Sequence, residues 1–308
     1  SVAVGRNCLA ANTTGTENVA VGALALDAVT TGSYNTAVGY NALTASTAGY
    51  NTAVGRGAMQ SNTTGGHNTA VGNAALLNTT DGTRNSAVGR AALEALTTAN
   101  DNTAVGYYAL LSSTTGERNT AIGSLADYGS TTADDNTVVG YAAMGAANTG
   151  SDNCVFGGYA MDANTGGGDN CAFGKSSLGA NTTGSFNVAV GREAMLQSTT
   201  SSQSVAVGRN ALRGTNTNGY NTAVGAQCFE QVTSGDVNTG IGYAAGYSVT
   251  TGANNTLLGR NAGRATSPSG NITTGSNNVV LGDNNVTNLY CADTSISSSD
   301  SRDKTDIN

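Results

Sequence analysis

The sequence predicts an all-β protein, a parallel β-roll or β-solenoid made of 17-residue repeats. Three observations support this fold class. A short Asn-Thr-Ala-Val-Gly unit recurs through most of the chain, in about seventeen copies. Within each unit, bulky and small residues alternate with the period of a β-strand, and helical periodicity is absent. The composition, with Gly 43, Pro 1, Trp 0 and 5% aromatic residues, suits stacked small side chains rather than a large aromatic core.

The motif glycines define the repeat. Most successive ones are 17 residues apart, as Gly5 and Gly22 are, but the interval from Gly39 to Gly55 is 16. We expect the missing residue in the turn between Thr44 and Tyr50, because loops tolerate changes in length. A further unit, Asn278 to Gly282, follows a longer insertion. The chain is therefore divided into a repeat shaft (1–263), an irregular last coil with an insertion (264–290) and a C-terminal segment (291–308).

Each unit is expected to supply two short strands. In the first, one face carries bulky residues such as Val38 and Phe156, and the other face carries Ala and Gly. The pair Ala42-Leu43 represents the second strand, and Thr-Thr-Gly supplies the turn between them. We expect the bulky face to fill the interior of the coil and the small face to meet a neighbouring chain. This arrangement predicts a parallel homo-oligomer, most simply a homotrimer.

Stacked coils place identical positions above one another at roughly 4.8 Å. The motif asparagines should then form a ladder in which each amide donates and accepts along the stack. By the same argument, Cys154 and Cys171 should be neighbours in a column of small apolar residues rather than a disulfide. The ladder asparagines considered first are Asn35, Asn51, Asn68, Asn85 and Asn102.

Composition argues against several functions. The formal charge is −7 without any basic run, so no nucleic-acid partner is expected. No apolar run approaches the ~20 residues needed to cross a bilayer, so no membrane insertion is expected. His67 is the single histidine, which rules out a histidine triad or multi-histidine metal site within one chain. We therefore expect no metal, no cofactor and no conventional enzyme activity. Because Ser1 already lies inside a repeat, we expect a fragment or a processed product.

The residue after each motif glycine is repeatedly Arg or Tyr. In stacked coils these residues would form a stripe, which we call the Arg/Tyr stripe. Such side chains can stack on and hydrogen-bond to sugars, but they equally suit contacts between subunits or a solvated edge. The stripe comprises Arg6, Tyr40, Arg56, Arg90, Tyr107, Tyr141, Arg192, Arg209, Tyr243 and Arg260.

The repeat resembles a known family. The units Ser1-Val2-Ala3-Val4-Gly5, Asn18-Val19-Ala20-Val21-Gly22 and Asn119-Thr120-Ala121-Ile122-Gly123 are similar to the head repeats of trimeric autotransporter adhesins. That family forms trimeric left-handed parallel β-rolls, so the resemblance, which covers about residues 1–263, implies a trimeric roll here. The longer period and the inserted Thr-Thr-Gly turn depart from the family pattern.

A second resemblance lies near the C-terminus. The stretch Ser298-Ser299-Asp300-Ser301-Arg302-Asp303-Lys304-Thr305-Asp306-Ile307 resembles the junction to the endosialidase-type intramolecular chaperone of phage tail spikes and fibres. In that family the chaperone domain trimerises the fibre and then cuts itself off. The resemblance implies a nucleophile at Ser299, a lysine partner at Lys304 and a scissile bond between Ser299 and Asp300. Since this chain carries only the start of such a domain, we expect no cleavage activity from it.

These observations together favour a structural, trimeric tail-fibre shaft on a virion, matured by a C-terminal chaperone. The expected partners are two further copies of the chain, a host-surface glycan or protein receptor, and other virion tail proteins. The main alternative is a trimeric adhesin or filament on a bacterial cell surface. An ice-binding solenoid is a third possibility, although the expected Thr-x-Thr pattern is replaced by Thr-x-Val. A polysaccharide-cleaving spike would need clustered carboxylates, and no acid pair stands out.

Overall fold

The computed structural model describes residues 1–288 and shows an all-β solenoid, which confirms the predicted fold class. One strand of three residues occurs in each coil, and the described residues contain no helix. The strands are β1 (Val2–Val4), β2 (Val19–Val21), β3 (Thr36–Val38), β4 (Thr52–Val54), β5 (Thr69–Val71), β6 (Ser86–Val88), β7 (Thr103–Val105), β8 (Thr120–Ile122), β9 (Thr137–Val139), β10 (Cys154–Phe156), β11 (Cys171–Phe173), β12 (Val188–Val190), β13 (Val205–Val207), β14 (Thr222–Val224), β15 (Thr239–Ile241), β16 (Thr256–Leu258) and β17 (Val279–Leu281).

Each strand pairs in parallel with the next one along the chain, so the coils stack in sequence order. The register keeps equivalent positions together, as where Ala87 pairs with Ala104 and Val88 with Val105. The result is one 17-stranded parallel sheet. Because every coil repeats the same register, each position of the unit becomes a column that runs along the solenoid.

The two irregular repeat intervals, the short one and the long one, lie at the positions expected from the sequence. In the 16-residue coil, the Thr47 N–H donates to Thr63 O at 2.7 Å, as Thr63 N–H does to Thr80 O, and the coil lacks a counterpart of Thr64. The missing residue therefore lies in the predicted turn. Near the end, the Asn278 N–H donates to Asn255 Oδ1 across 23 residues, so the insertion enlarges the last described coil without breaking the stack.

The assignment of the two strand faces is wrong in the sequence-based prediction. Ala37 and Ala104 point into the coil and are fully buried, whereas Val71 and Val105 point outward and remain 37% and 38% exposed. The interior is already filled by large side chains from the opposite segment, such as Leu110. In most coils this leaves room only for alanine at the inward strand position, and a few coils hold a buried valine or leucine there instead.

The prediction of a second strand is also wrong. The Ala-Leu segment is a turn in which left-handed residues alternate with ordinary ones, as Asn41 (φ 55°) and Leu43 (φ 48°) do. Such φ values are unfavourable for a non-glycine residue by roughly 1–2 kcal/mol. The complete burial of Leu43 offsets this strain, since burying a leucine side chain stabilises by about 1.5–3 kcal/mol.

Stacking of the coils requires glycine at the motif position. Gly123 has φ +136°, and a Cβ built on it would lie 2.6 Å from the carbonyl oxygen of Gly140 in the next coil. Backbone atoms cannot move away from such a contact without separating the coils. Glycine is therefore required at this position by both conformation and space.

The asparagine ladder is confirmed. The Asn102 N–H donates to Asn85 Oδ1 at 3.0 Å, and Asn85 Nδ2 donates to the carbonyl oxygen of Ala99 at 2.8 Å. Each ladder amide thus joins its own coil to the next one, and Asn85 and Asn102 are fully buried. Cys154 and Cys171 are also direct neighbours across β10 and β11 and are free thiols, as predicted.

Candidate functional site

The outward face of the sheet is a continuous uncharged surface. Every strand contributes its first and third residues to this face, because the middle residue points inward. The first residue is Thr, Val, Ser or Cys throughout, and the third is always aliphatic or Phe. We call the third positions the outward apolar column: Val4, Val21, Val38, Val54, Val71, Val88, Val105, Ile122, Val139, Phe156, Phe173, Val190, Val207, Val224, Ile241, Leu258 and Leu281.

The outward apolar column is incompletely covered. Ile122 is 42% exposed, and Phe156 and Phe173 stack on one another with ring centroids 5.0 Å apart, still 37% exposed. Single exposed apolar residues are ordinary on protein surfaces, but a contiguous run of this length is not. The column is therefore a candidate interaction surface.

The Arg/Tyr stripe lies at the surface. All ten of its side chains are exposed, and the four tyrosines, Tyr40, Tyr107, Tyr141 and Tyr243, are 46–51% accessible. Some members lie in adjacent coils, as Arg90 and Tyr107 do: Arg90 Nη1 donates to the hydroxyl of Tyr107 at 3.1 Å and to that of Tyr108. These hydrogen bonds raise the pKa of Arg90, chiefly through Tyr108.

One section of the stripe forms a cavity of about 200 Å³. It is lined by Tyr40 and Arg56 of the stripe and by residues of adjacent turns. The opening arises at Gly57, because the other coils carry a side chain at this left-handed position, such as Asn41 below it and Ala74 above it. We call this cavity the Gly57 notch; it is lined by Tyr40, Asn41, Arg56, Gly57, Gln60, Asn73, Ala74 and Leu77.

A second surface column was missed by the sequence analysis. The residue before each ladder asparagine has a left-handed conformation and projects outward, and it brings Tyr34, Tyr50 and His67 together. Their rings stack face to face, with centroids 4.9 Å apart at both contacts. The recurrence of this position in successive coils, mostly 17 residues apart but 16 between Tyr34 and Tyr50, was the signal that could have revealed it.

The same column continues into paired charges. Arg84 Nε donates to Asp101 Oδ1 at 2.6 Å, and Arg118 Nε donates to Asp135 Oδ1 at 2.7 Å. Both pairs are bidentate, because Nη2 of each arginine donates to the second carboxylate oxygen. The hydrogen bonds from the two arginines hold the pKa values of Asp101 and Asp135 below their usual range. In both pairs the exposed arginine side chain is held by an aspartate of the next coil.

A buried carboxyl group interrupts the interior. Asp127 occupies the position that holds Leu110 in the preceding coil and Met144 in the following one, and it is completely buried. Its Oδ1 accepts a hydrogen bond from Ser130, while Oδ2 has no partner among residues 1–288. Burial raises the pKa of Asp127 to about 7.

The predicted self-cleavage residues Ser299 and Lys304, with the bond to Asp300, lie outside the described residues, as does Cys291. Within residues 1–288, no group of three or more His, Cys, Asp or Glu side chains is arranged to hold a metal ion. The same part of the chain has no helix of the length and apolarity needed to cross a membrane.

Comparison of the chain with protein-family models, with curated proteins and with solved structures finds no match in any of the three.

Proposed function

We propose that this chain is the shaft of a homotrimeric fibre that attaches to a host cell surface, as a tail appendage of a virion. The observation that carries the proposal is the uninterrupted, uncharged outward face of the sheet. An elongated solenoid with one unpartnered face suits side-by-side assembly, because a copy of the same chain has the same rise per coil.

The association surface in this proposal differs from the one expected from sequence. The small Ala face is inside the coil, so it is not available to a neighbour. The outward apolar column takes its place. Seventeen rungs at roughly 4.8 Å make a strip about 80 Å long. With a width of about 10 Å, the strip offers roughly 800 Å² per chain, and a trimer divides it between two neighbours. Each contact then receives about half of what a partner contributes to a standard stable interface, so the adjoining turns must contribute as well.

The proposed attachment is through side chains on the exposed turns. The Arg/Tyr stripe supplies cationic, aromatic and hydrogen-bonding groups at intervals of one to three coils along the shaft. Repeated weak contacts along a rigid rod give a strong total attachment through multivalency, as do three copies in one fibre. A host-surface glycan fits these groups, and a protein receptor is the alternative.

Maturation of the fibre is proposed from the resemblance at Ser299 to Ile307. The net reaction is hydrolysis of the bond between Ser299 and Asp300, which consumes one water and leaves a carboxylate on Ser299 and an amine on Asp300. Activation of a serine hydroxyl requires a nearby base, and a desolvated lysine can serve as one. The test is to express the chain with the downstream part of its gene, with and without Ser299→Ala. Equal processing of the two proteins would contradict the assignment.

An ice-binding function is the second candidate, and one observation favours it. Thr103 and Val105 lie on the same outward face, and the same pairing recurs in many coils, which creates a regular array along the sheet. The two functions are mutually exclusive for this face, because a trimer would cover the array. Thermal hysteresis of the purified protein supports ice binding, whereas its absence together with a trimeric mass supports the fibre.

The fibre is distinguished from a bacterial surface adhesin by what surrounds this chain in its gene. A tail fibre is accompanied by virion-anchoring and chaperone sequences, and an autotransporter adhesin by a membrane anchor. Antibody labelling of this chain on purified virions would support the first function. Labelling confined to bacterial cells would support the second and contradict the proposal.

A further inference from the structure

We infer that the Gly57 notch binds a single carboxylate-bearing sugar, such as a uronic acid at the end of a glycan chain. This inference deepens the proposed attachment function and rests on it for its biological setting.

The size of the notch limits its ligand. Its volume of about 200 Å³ lies below the roughly 300–1,000 Å³ of pockets that hold drug-sized molecules. One pyranose ring fits a space of this size, and a longer oligosaccharide would extend from it over the surface. The space exists because Gly57 carries no side chain: a Cβ built there would meet Gln60 Oε1 and Leu77 Cδ1, both at 3.4 Å.

The charge at the notch favours an anion. Arg56 is exposed, and none of the ion pairs among residues 1–288 involves it. Arg84 and Arg118, in contrast, each form an ion pair with an aspartate. An unpaired guanidinium presents a planar set of donors that matches a carboxylate, so a carboxylate-bearing ligand gains a charge-assisted contact at this place.

The remaining lining suits a sugar better than a simple anion. Tyr40 offers an aromatic ring that is 47% exposed, against which the apolar side of a pyranose can pack. The amides of Gln60 and Asn73 provide donors and acceptors for hydroxyl groups. Asn41 also lines the notch and adds a polar side chain to its wall.

The test uses the whole chain and three probes: glucuronate, neutral glucose and acetate. Saturation-transfer NMR measures contact of each probe with the protein. We expect glucuronate to bind at least about tenfold more tightly than glucose or acetate, because the sugar and the carboxylate must act together. Equal binding of glucuronate and glucose, equal binding of glucuronate and acetate, or no binding of glucuronate would overturn the inference.

Two variants locate the binding. Arg56→Gln should weaken glucuronate binding at least about tenfold. Gly57→Leu should abolish it by filling the notch, and this variant should fold, since Leu24 and Leu125 occupy the same position with φ 61° and 59°. Arg84→Gln, at an exposed arginine outside the stripe, is the matched control and should bind as the parent does. Parent-like binding by a folded Gly57→Leu protein would contradict the assignment.

The outcome is separable from that of the proposed function. A monomeric chain that does not attach to cells but binds glucuronate in the notch refutes the fibre and keeps the site. A trimeric fibre that attaches to cells but does not bind glucuronate supports the fibre and refutes the carboxylate-sugar site.

Discussion

Phe229 fills the space that Gly246 leaves in the next coil. Both residues occupy the interior position that holds Leu212 in the coil before them, and a Cβ added to Gly246 would overlap the ring of Phe229. Gly240, at the inward strand position where alanine is the rule, makes room for the same ring. One oversized residue is thus accommodated by two undersized neighbours.

This compensation predicts non-additive mutations. Gly246→Leu alone should destabilise the protein by about 1–3 kcal/mol through overpacking against Phe229. The double variant Phe229→Leu/Gly246→Leu removes the overlap with the Phe229 ring, although not the close approach to Leu257, and should be more stable than Gly246→Leu alone. A double-mutant cycle from urea denaturation measures this coupling. Simple additivity of the two single effects would contradict the packing described here.

The asparagine ladder gives a second prediction. Asn85→Ala leaves the buried Asn102 N–H and the Ala99 carbonyl oxygen without their partners, which should cost about 2–5 kcal/mol of unfolding free energy. Asn85→Ser should cost less, because Ser204 fills a ladder position and accepts from the Asn221 N–H at 3.3 Å. Asn73→Ala, on the surface, is the control and should change stability by less than about 0.5 kcal/mol. Thermal or urea unfolding measures all three, and equal effects would contradict the role of the ladder.

The motif glycine gives a third prediction. Gly123→Ala places a methyl group against the backbone of Gly140 and forces alanine into a conformation with φ +136°, so at least several kcal/mol of stability should be lost. Gly270→Ala is the matched control: Gly270 also has positive φ, +67°, but an added Cβ would meet nothing within 4 Å. Circular dichroism melts compare the two variants. Similar melting temperatures for both would show that coil stacking does not impose the glycine.

The buried Asp127 should make the stability of the protein depend on pH. Burial raises the pKa of Asp127 to about 7 in the folded protein, from the value of 3.8 that is usual for an exposed aspartate. Between these two values the unfolded chain loses the proton while the folded protein keeps it, so stability should fall as pH rises from about 4 to about 7. Below this window both states are protonated, and above it both are ionised, so no further change comes from this group.

The variant Asp127→Leu removes this dependence. It also restores the apolar residue found at Leu110, so it should stabilise the protein, most of all at neutral pH. Unfolding free energies measured from pH 4 to pH 8 compare it with the parent. A parent slope that persists in Asp127→Leu would assign the pH dependence to other groups.

The repeat architecture was predictable because it depends on spacing. The 17-residue period, the ladder from Asn35 to Asn102, the shortened turn at Thr47 and the adjacency of Cys154 and Cys171 all follow from stacking equal coils. Each of these features requires only that equivalent positions lie above one another. No knowledge of side-chain direction is needed.

The faces of the coil were not predictable from alternation. A period of two separates Ala104 from its neighbours Thr103 and Val105 but does not say which side is inside. The answer depends on Leu110, which enters the same interior from a turn. That turn has left-handed residues that leucine seldom adopts, so the sequence suggested a strand instead. The Gly57 notch was hidden for a related reason, because it depends on the absence of one side chain in a column whose conformation was unknown.

The outward apolar column is the central element of the proposed assembly, and its exposure permits a direct test. Two charges, Val71→Asp and Val105→Asp, would be desolvated in a trimer but solvated on a monomer, where both side chains are more than one-third exposed. The variant Val71→Thr/Val105→Thr is the matched control, since threonine already occurs on the outward face. Circular dichroism establishes that each variant is folded.

Native mass spectrometry at micromolar concentration then gives the decisive measurement. We expect three chains per particle for the parent and for the threonine variant, and single chains for the folded aspartate variant. A monomeric parent, or an aspartate variant that remains trimeric, would contradict assembly through this face.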